Sequence, residues 1–276
     1  AGISEQVAEQ LTPLFRRTGE EHRQHRSLLA SAFTPRRIEV LRPTTAAVAG
    51  RLATEIKHSG RRGEACDFVP AFAAPLPAEV FAVLFGLPVE DRDRLAAWGS
   101  VVAQAFMPFL DHDQVAGVER AAGELRAYSE RQIELRRHTP SDDLITHLLE
   151  AEIDGERLDD GAIVDTVSAF IFAGSETTKR QLTQLVVAFA EHPDDWERVH
   201  EDPELLPGAI EEVLRLHSII PGLTRLADEP FEHDGLPREP GERLMVSMTT
   251  ANRDGARFGA PDEFDIARAN AGEHVT

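Results

Sequence analysis

The longest apolar segment of this 276-residue sequence runs from residue 162 to residue 190 and constrains the fold more than any other feature. Up to Phe172 its apolar side chains recur on more than one face, which is typical of a helix buried inside a protein. Asp159 and Asp160 precede it and are suitable N-caps, and Pro193 disfavours helix at the residue before it. The pattern predicts a central helix of about 32 residues, roughly 48 Å long, that crosses the molecule.

Gly174 and Glu176 interrupt this apolar pattern near the middle of the helix. A glycine inside a helix costs roughly 0.5–1 kcal/mol relative to alanine, and a buried glutamate costs more unless it is paired or protonated. Thr177 lies four residues after Ala173 and can bond to its carbonyl, which weakens and bends a helix. With room opened by Gly174, the expected result is a notch that delivers protons and holds a small ligand. Alternatively, Glu176 points at water.

Glu212 and Arg215 form an acid–base pair three residues apart on a helix predicted over residues 207–217. On a surface such a pair contributes only about 0.2–0.5 kcal/mol. Apolar Val213 and Leu216 favour partial burial, where the pair would fix a geometry more than add stability. A solvated helix face is the alternative.

His22 and Arg26 lie four residues apart on one face of a helix predicted over residues 20–30. No third metal ligand is evident, so a site for a carboxylate or phosphate fits better, and a basic solvated face is the alternative. This is the one locally basic part of the chain, with Arg16, Arg17, Arg23, Arg36, Arg37 and Arg42.

The composition excludes several classes of function. The net charge of −19 disfavours binding to nucleic acid or to an anionic membrane. No apolar run reaches the roughly 18–20 residues of a membrane span, and the first ten residues do not form a secretory signal. The single cysteine, Cys66, fits a reducing compartment, so we predict a cytoplasmic protein.

The remaining patterns predict a mainly α fold in a single domain, residues 1–276. Further helices are expected over residues 37–58, 78–85, 90–106, 113–137, 141–150 and 194–201. Small strands are expected at 66–68, 223–227, 231–233 and 243–247, followed by one helical turn at 248–253.

Taken together, these motifs resemble the cytochrome P450 family. Residues 173–178 (AGSETT) resemble its oxygen-binding motif on the long central helix, and residues 212–215 resemble its Glu-x-x-Arg motif. Residues 21–26 and 32–37 are similar to the bacterial helix that contacts the haem propionates. Arg225 and residues 251–254 and 261–268 match later landmarks, in the same order.

The resemblance implies a P450 fold with haem held against the central helix, and an oxidoreductase that inserts one atom of O2 into a small apolar substrate. Electrons would come from a ferredoxin-type or other acidic redox partner, docked at the basic patch around Arg23 and Arg36 by charge complementarity. Glu176 and Thr177 would deliver protons to bound oxygen, beside Ala173 and Gly174.

The resemblance also assigns the remaining site residues. His22, Arg26 and Arg225 would neutralise the haem propionates. Glu212 and Arg215 would form a structural network, with Arg268 as the third member.

The sequence departs from the family at its end, where a Phe-Gly-x-Gly-x-His-x-Cys loop would follow and would supply the thiolate that ligates iron. Cys66 has none of that loop's glycines around it. We therefore expect an internal fragment of a bacterial-type monooxygenase, without the family's N-terminal sheet region or its Cys loop, and inactive alone. The alternative is a non-catalytic helical binding or structural protein that has lost the haem thiolate.

Overall fold

Helices make up most of the chain, and its strands are short and paired two by two. This confirms the predicted mainly α class with small β segments. A computed structural model describes residues 2–14, 17–107, 109–153 and 155–276. The chain forms two compact units, Ala1–Lys179 and Arg180–Thr276.

The first unit is a bundle of helices with one small antiparallel strand pair. The central helix begins in this unit and continues past its boundary at Lys179. In chain order the elements are α1 (Glu5–Leu11), α2 (Gly19–Ala32), α3 (Pro35–Arg61), α4 (Pro75–Phe85), α5 (Arg92–Val102), α6 (His112–His138), α7 (Leu144–Glu150), β1 (Glu152–Ile153), β2 (Glu156–Arg157) and α8 (Asp160–Glu191).

Three of these helices begin at an aspartate that caps the first turn. The Asp111 carboxylate accepts from the Gln114 backbone N–H at 2.8 Å, and the Gln114 side chain accepts from the Asp111 N–H at 2.9 Å, which forms a capping box at α6. Asp143 caps α7. Asp159 accepts from the Ala162 N–H at 2.8 Å, so the predicted start of the central helix is confirmed.

Apolar side chains from α4, α6, α7 and α8 form the main core of the first unit. Phe85, Leu125, Ile145 and Val167 are fully buried there. Burying each of these side chains contributes about 1.5–3 kcal/mol relative to leaving it in water. The N-terminal half of α8 is therefore an interior helix, as its apolar pattern predicts.

The second unit begins within α8 and combines short helices with two strand pairs. A small core forms around Phe189, Ala209 and Ile266. The remaining elements are α9 (Pro193–Glu201), α10 (Leu206–Leu216), β3 (Gly222–Leu226) paired with β6 (Arg243–Ser247), β4 (Phe231–His233) paired with β5 (Leu236–Arg238), and α11 (Met248–Ala251).

Several short elements differ from the sequence prediction. The strand predicted at residues 66–68 is wrong, because this segment leads into a helical turn, Val69–Ala73, with hydrogen bonds five residues apart. Helix α1, the β1–β2 pair and β5 were not predicted. The sequence did contain a signal for β5, because Asp234-Gly235 is a dipeptide typical of the tight turn that joins two hairpin strands. In the structure both residues have positive φ, as such a turn requires.

No helix in the described part of the chain combines the length and the apolar character that a membrane crossing requires.

His25 makes the stability of the first unit dependent on pH. Its side chain is buried on α2, and Nε2 has no hydrogen-bond partner in the described structure. Burial, followed by the charge of Arg17, lowers the pKa of His25 below its ordinary value of 6.5, although Asp159, Glu21 and Glu9 oppose the shift. The unfolded chain therefore takes up this proton first as the pH falls.

We expect the free energy of unfolding to decrease as the pH falls below about 6.5, and to decrease less in a His25→Leu variant. The measurement is urea unfolding at a series of pH values. His58→Leu, at a position near the exposed end of α3, serves as the control. Equal pH slopes in the His25 variant and the unaltered chain would contradict the assignment.

Candidate functional site

The hydroxyl at the middle of α8 is bonded as its spacing predicts. Thr177 Oγ1 donates to the Ala173 carbonyl at 2.6 Å. The helix continues through this bond without interruption, and the Thr177 side chain remains exposed. An alcohol therefore lies on an accessible face of the central helix, with its proton directed at a main-chain carbonyl.

Glu176 does not point at water, so that alternative is wrong. Only 8% of Glu176 is exposed. The Lys179 ammonium, three residues along the same helix, donates to Glu176 Oε2. Ser100 Oγ, on α5, donates to the same oxygen at 3.4 Å. The charge that breaks the apolar pattern of α8 is thus held by a cation and a hydroxyl.

The open space predicted beside Gly174 is absent, so that part of the notch prediction is wrong. A Cβ built on Gly174 would lie 1.7 Å from the Cζ atom of Phe81, which projects from α4. Glycine is required here because an aromatic ring packs directly on the backbone of α8. The side that carries Thr177 remains accessible.

Two of these residues were not predicted because they are distant in sequence from what they touch. Phe81 and Ser100 come from α4 and α5, and no spacing rule relates them to α8. Lys179 could have been predicted, since a lysine three residues after a glutamate lies on the same helix face.

Glu212 and Arg215 form a fully buried ion pair, so the solvated-face alternative is wrong. Both side chains have 0% exposure, and the guanidinium contacts both carboxylate oxygens, at 2.7 and 2.8 Å. Arg268, the expected third member, also contacts Glu212, at 3.0 Å. The remaining Arg215 donors bond to the backbone carbonyls of Asn252, Pro261 and Glu263.

The environment of Glu212 keeps its carboxylate ionised. Burial alone would raise its pKa, but hydrogen bonds from Arg215, Arg268 and the Asp265 N–H outweigh burial and hold the pKa below its ordinary value. The Glu212 carboxylate is therefore fully paired and hydrogen-bonded, which is the condition under which a buried ion is tolerated.

The cationic side chains expected at the haem propionates have donors available. His22 is half-buried and Arg26 is exposed, and neither side chain has a hydrogen bond or ion pair in the described ranges. Arg225, on β3, is exposed and uses one N–H for the Thr224 carbonyl at 3.3 Å. Guanidinium groups with free donors suit carboxylates, so the donor set fits haem propionates.

The basic patch expected to dock a redox partner is only partly described. The Arg23 guanidinium donates to Glu20 on the same helix, and Arg42 pairs with Glu39 at 2.7 Å. The side chain of Arg36 lies outside the described residues. Residues 19–61 contain eight Lys or Arg and four Asp or Glu, so this segment carries +4 within a chain of −19.

Substituting Gly174 with alanine tests the contact with Phe81. We expect Gly174→Ala to destabilise the first unit by about 1–3 kcal/mol, because the added methyl group overlaps the ring. Adding Phe81→Leu should recover part of that loss. Thermal unfolding is the measurement.

Gly123 of α6 is the matched control, since nothing lies within 4 Å of a Cβ placed there. Gly123→Ala should be neutral or stabilising by about 0.5–1 kcal/mol. The same result at both glycines would contradict the assigned contact.

Removing the Glu212 charge tests the buried cluster. Glu212→Gln leaves the charges of Arg215 and Arg268 uncompensated, and we expect a loss of about 3–5 kcal/mol in the free energy of unfolding. The control is Glu242→Gln, which breaks a surface contact of 3.8 Å to Arg238 and should cost no more than about 1 kcal/mol. Both free energies of unfolding are measured in urea. Equal losses in the two variants would contradict the stabilising role assigned to the buried cluster.

Comparison with known proteins shows the family to which the chain belongs. The family model described as Cytochrome P450 matches residues 4–271. Luteothin monooxygenase of Streptomyces thioluteus is 36% identical over 249 residues, or 90% of this chain and 60% of that protein. Erythromycin C-12 hydroxylase of Saccharopolyspora erythraea is 35% identical over 255 residues, 91% of this chain and 62% of that protein. The chain thus spans about 60% of the length of these curated relatives.

Solved structures share the fold. P450BioI, in complex with an acyl carrier protein ligated to hexadec-9Z-enoic acid, has a TM-score of 0.91 at 27% identity, covering 98% of this chain and 69% of that one. CYP109E1 from Bacillus megaterium, in complex with testosterone, has a TM-score of 0.83 at 30% identity, covering 98% and 74%. With the family model matching nearly the whole sequence and the ordered motifs in place, this chain belongs to the cytochrome P450 family.

Proposed function

We propose that the whole protein containing these residues is a haem-dependent monooxygenase that hydroxylates a small apolar organic substrate with O2. Both compact units would be parts of a single P450 domain. The haem, when bound, supplies the iron that binds O2 and the redox chemistry. The observation that carries this proposal is the acid and alcohol side by side on α8, where buried Glu176 precedes Thr177 and its bond to Ala173.

In this proposal Glu176 and Thr177 move protons. The Glu176 carboxyl would relay protons that reach it from solvent, and Thr177 Oγ1 holds a proton that its bond to the Ala173 carbonyl keeps oriented. Proton transfer by side chains placed in this way contributes about 10²–10⁴-fold to a rate. Both side chains would transfer protons while α8 remains helical.

His22 and Arg26 on α2 and Arg225 on β3 would hold the two propionates of the haem. Their available donors support this assignment. The excess positive charge of residues 19–61 supports docking of an acidic, ferredoxin-type partner, since complementary charge accelerates association.

Within the class of small apolar organic molecules, the substrate would be one such as a steroid or a polyketide. The named relatives support this class, because they include an erythromycin hydroxylase and a steroid C26-monooxygenase of Mycobacterium tuberculosis. CYP109E1, which has the same fold, was solved with testosterone bound.

Cys66 would not be the iron ligand, and the 276-residue chain would be inactive alone. Its thiol is exposed, and its only described contact is a weak one with the Asp67 carbonyl at 3.7 Å. Haem added to this chain should therefore give no thiolate-type spectrum after reduction under carbon monoxide. The whole protein should give one.

In the haem-loaded whole protein, Thr177→Ala should divert consumed O2 into hydrogen peroxide, because the oriented hydroxyl proton is lost. Product formed per O2 consumed is measured with testosterone and a macrolide lactone as probes, with a ferredoxin and its reductase as electron source. Thr177→Ser should retain product formation, and Thr178→Ala, one residue along the helix, should resemble the unaltered enzyme.

The alternative, a non-catalytic helical binding or structural protein, makes opposite predictions. A whole protein that takes up no haem, or takes it up without a thiolate-type spectrum, would favour this alternative and would overturn the monooxygenase proposal.

A further inference from the structure

Glu176 is a buried carboxylate with a lysine among its contacts. Arg51 contacts both oxygens of Glu79 at 2.7 Å, and Arg215 contacts both oxygens of Glu212. Lys179 contacts Glu176. An arginine offers a rigid fork, whereas a lysine offers a compact charge with three rotatable donors.

This lysine is unusual in the sequence. The chain has 29 Lys and Arg residues together, and only Lys57 and Lys179 are lysines. Lys57 is exposed on α3, whereas the Lys179 side chain is only 20% exposed. One of the two lysines therefore contacts Glu176, the acid that the proposed reaction uses.

Lys179, Ser100 and Glu176 form a closed triangle of polar contacts. The Lys179 ammonium donates to Ser100 Oγ at 3.3 Å and to Glu176 Oε2. Ser100 Oγ accepts the first bond and donates onward to Oε2 at 3.4 Å. Both donors converge on one oxygen, so together they fix the rotamer of the Glu176 side chain.

Helix α5, which supplies Ser100, is itself fixed to α6. Trp98 Nε1 donates to Glu124 at 2.7 Å, and the Tyr128 hydroxyl donates at 2.9 Å to Asp91, the residue immediately before α5. Tyr128 is buried in the core. The hydroxyl of Ser100 is thus presented to α8 by a helix anchored at two other points.

We propose that Ser100 and Lys179 are positioning residues that orient the Glu176 carboxylate for proton delivery. Neither touches the reacting atoms. They remove the rotamer freedom that an isolated glutamate would have, so that the carboxylate keeps one orientation on α8. This inference rests on the proposed monooxygenase function and adds two residues to its site.

The contacts themselves are tested in the 276-residue chain without haem. Acetic anhydride labels free amines, and Lys57 and the chain's N-terminal amine serve as internal references for peptide mass spectrometry. Because the Lys179 amine is engaged by charge-assisted hydrogen bonds, Glu176→Gln should increase its labelling about tenfold relative to Lys57. Equal labelling in both proteins would overturn the triangle.

The positioning role is tested in the haem-loaded whole protein. Lys179→Met and Ser100→Ala should lower product formed per O2 consumed, about tenfold for the lysine variant, and should increase the ratio of rates in H2O and D2O. The single variants Lys179→Arg and Ser100→Thr keep the hydrogen-bond donors. Their product per O2 consumed and their isotope ratio should stay close to those of the unaltered protein. Testosterone and a macrolide lactone are the probes.

A purely structural tie between α5 and α8 predicts a different pattern. The Met and Ala variants would then lose thermal stability while the product per O2 and the isotope ratio stay at the unaltered values, and this outcome would overturn the inference. An unaltered protein that binds no haem or forms no product from these probes would instead count against the proposed function. The two failures are therefore distinguishable.

Discussion

A glutamate with no exposed surface is stable only when every part of its charge is compensated, and the second unit is built around one such residue. Glu212 accepts from Arg215, Arg268 and the Asp265 backbone N–H. The same Arg215 bonds to three backbone carbonyls between residues 252 and 263. One ion pair on α10 therefore fixes a segment that has almost no regular secondary structure of its own. The path of the chain after α11 depends on it.

Arginine is the right cation for that task, because its donors point in several fixed directions at once. In the Arg215 side chain two donors clamp the carboxylate and the others tie down main chain. The central helix solves a related problem differently. Its buried acid, Glu176, is contacted by a lysine and a neighbouring hydroxyl. Under the proposed function, the same residue type would serve architecture in the second unit and chemistry in the first.

The sequence predicts those parts of the structure that depend on local spacing. The Thr177–Ala173 bond, the capped start of α8 and the Glu212–Arg215 pair all follow from residues three or four apart. The role of Arg268 followed only from the resemblance to a family, since 56 residues separate it from Glu212. Phe81 and Ser100 could not be predicted, because their contacts depend on how separate helices pack. The error at Gly174 has the same origin: a glycine in a helix shows that space is needed, but not what fills it.

The packing of Phe81 against Gly174 also restricts how this protein can change over generations. A larger residue at position 174 overlaps the ring while the phenylalanine is present, which we expect to cost about 1–3 kcal/mol. A smaller residue at position 81 leaves a cavity, which carries a cost of its own. The two positions are therefore coupled, because an increase in size at 174 costs less once the side chain at 81 is smaller. Glycine at 174 is favoured for as long as the phenylalanine is retained.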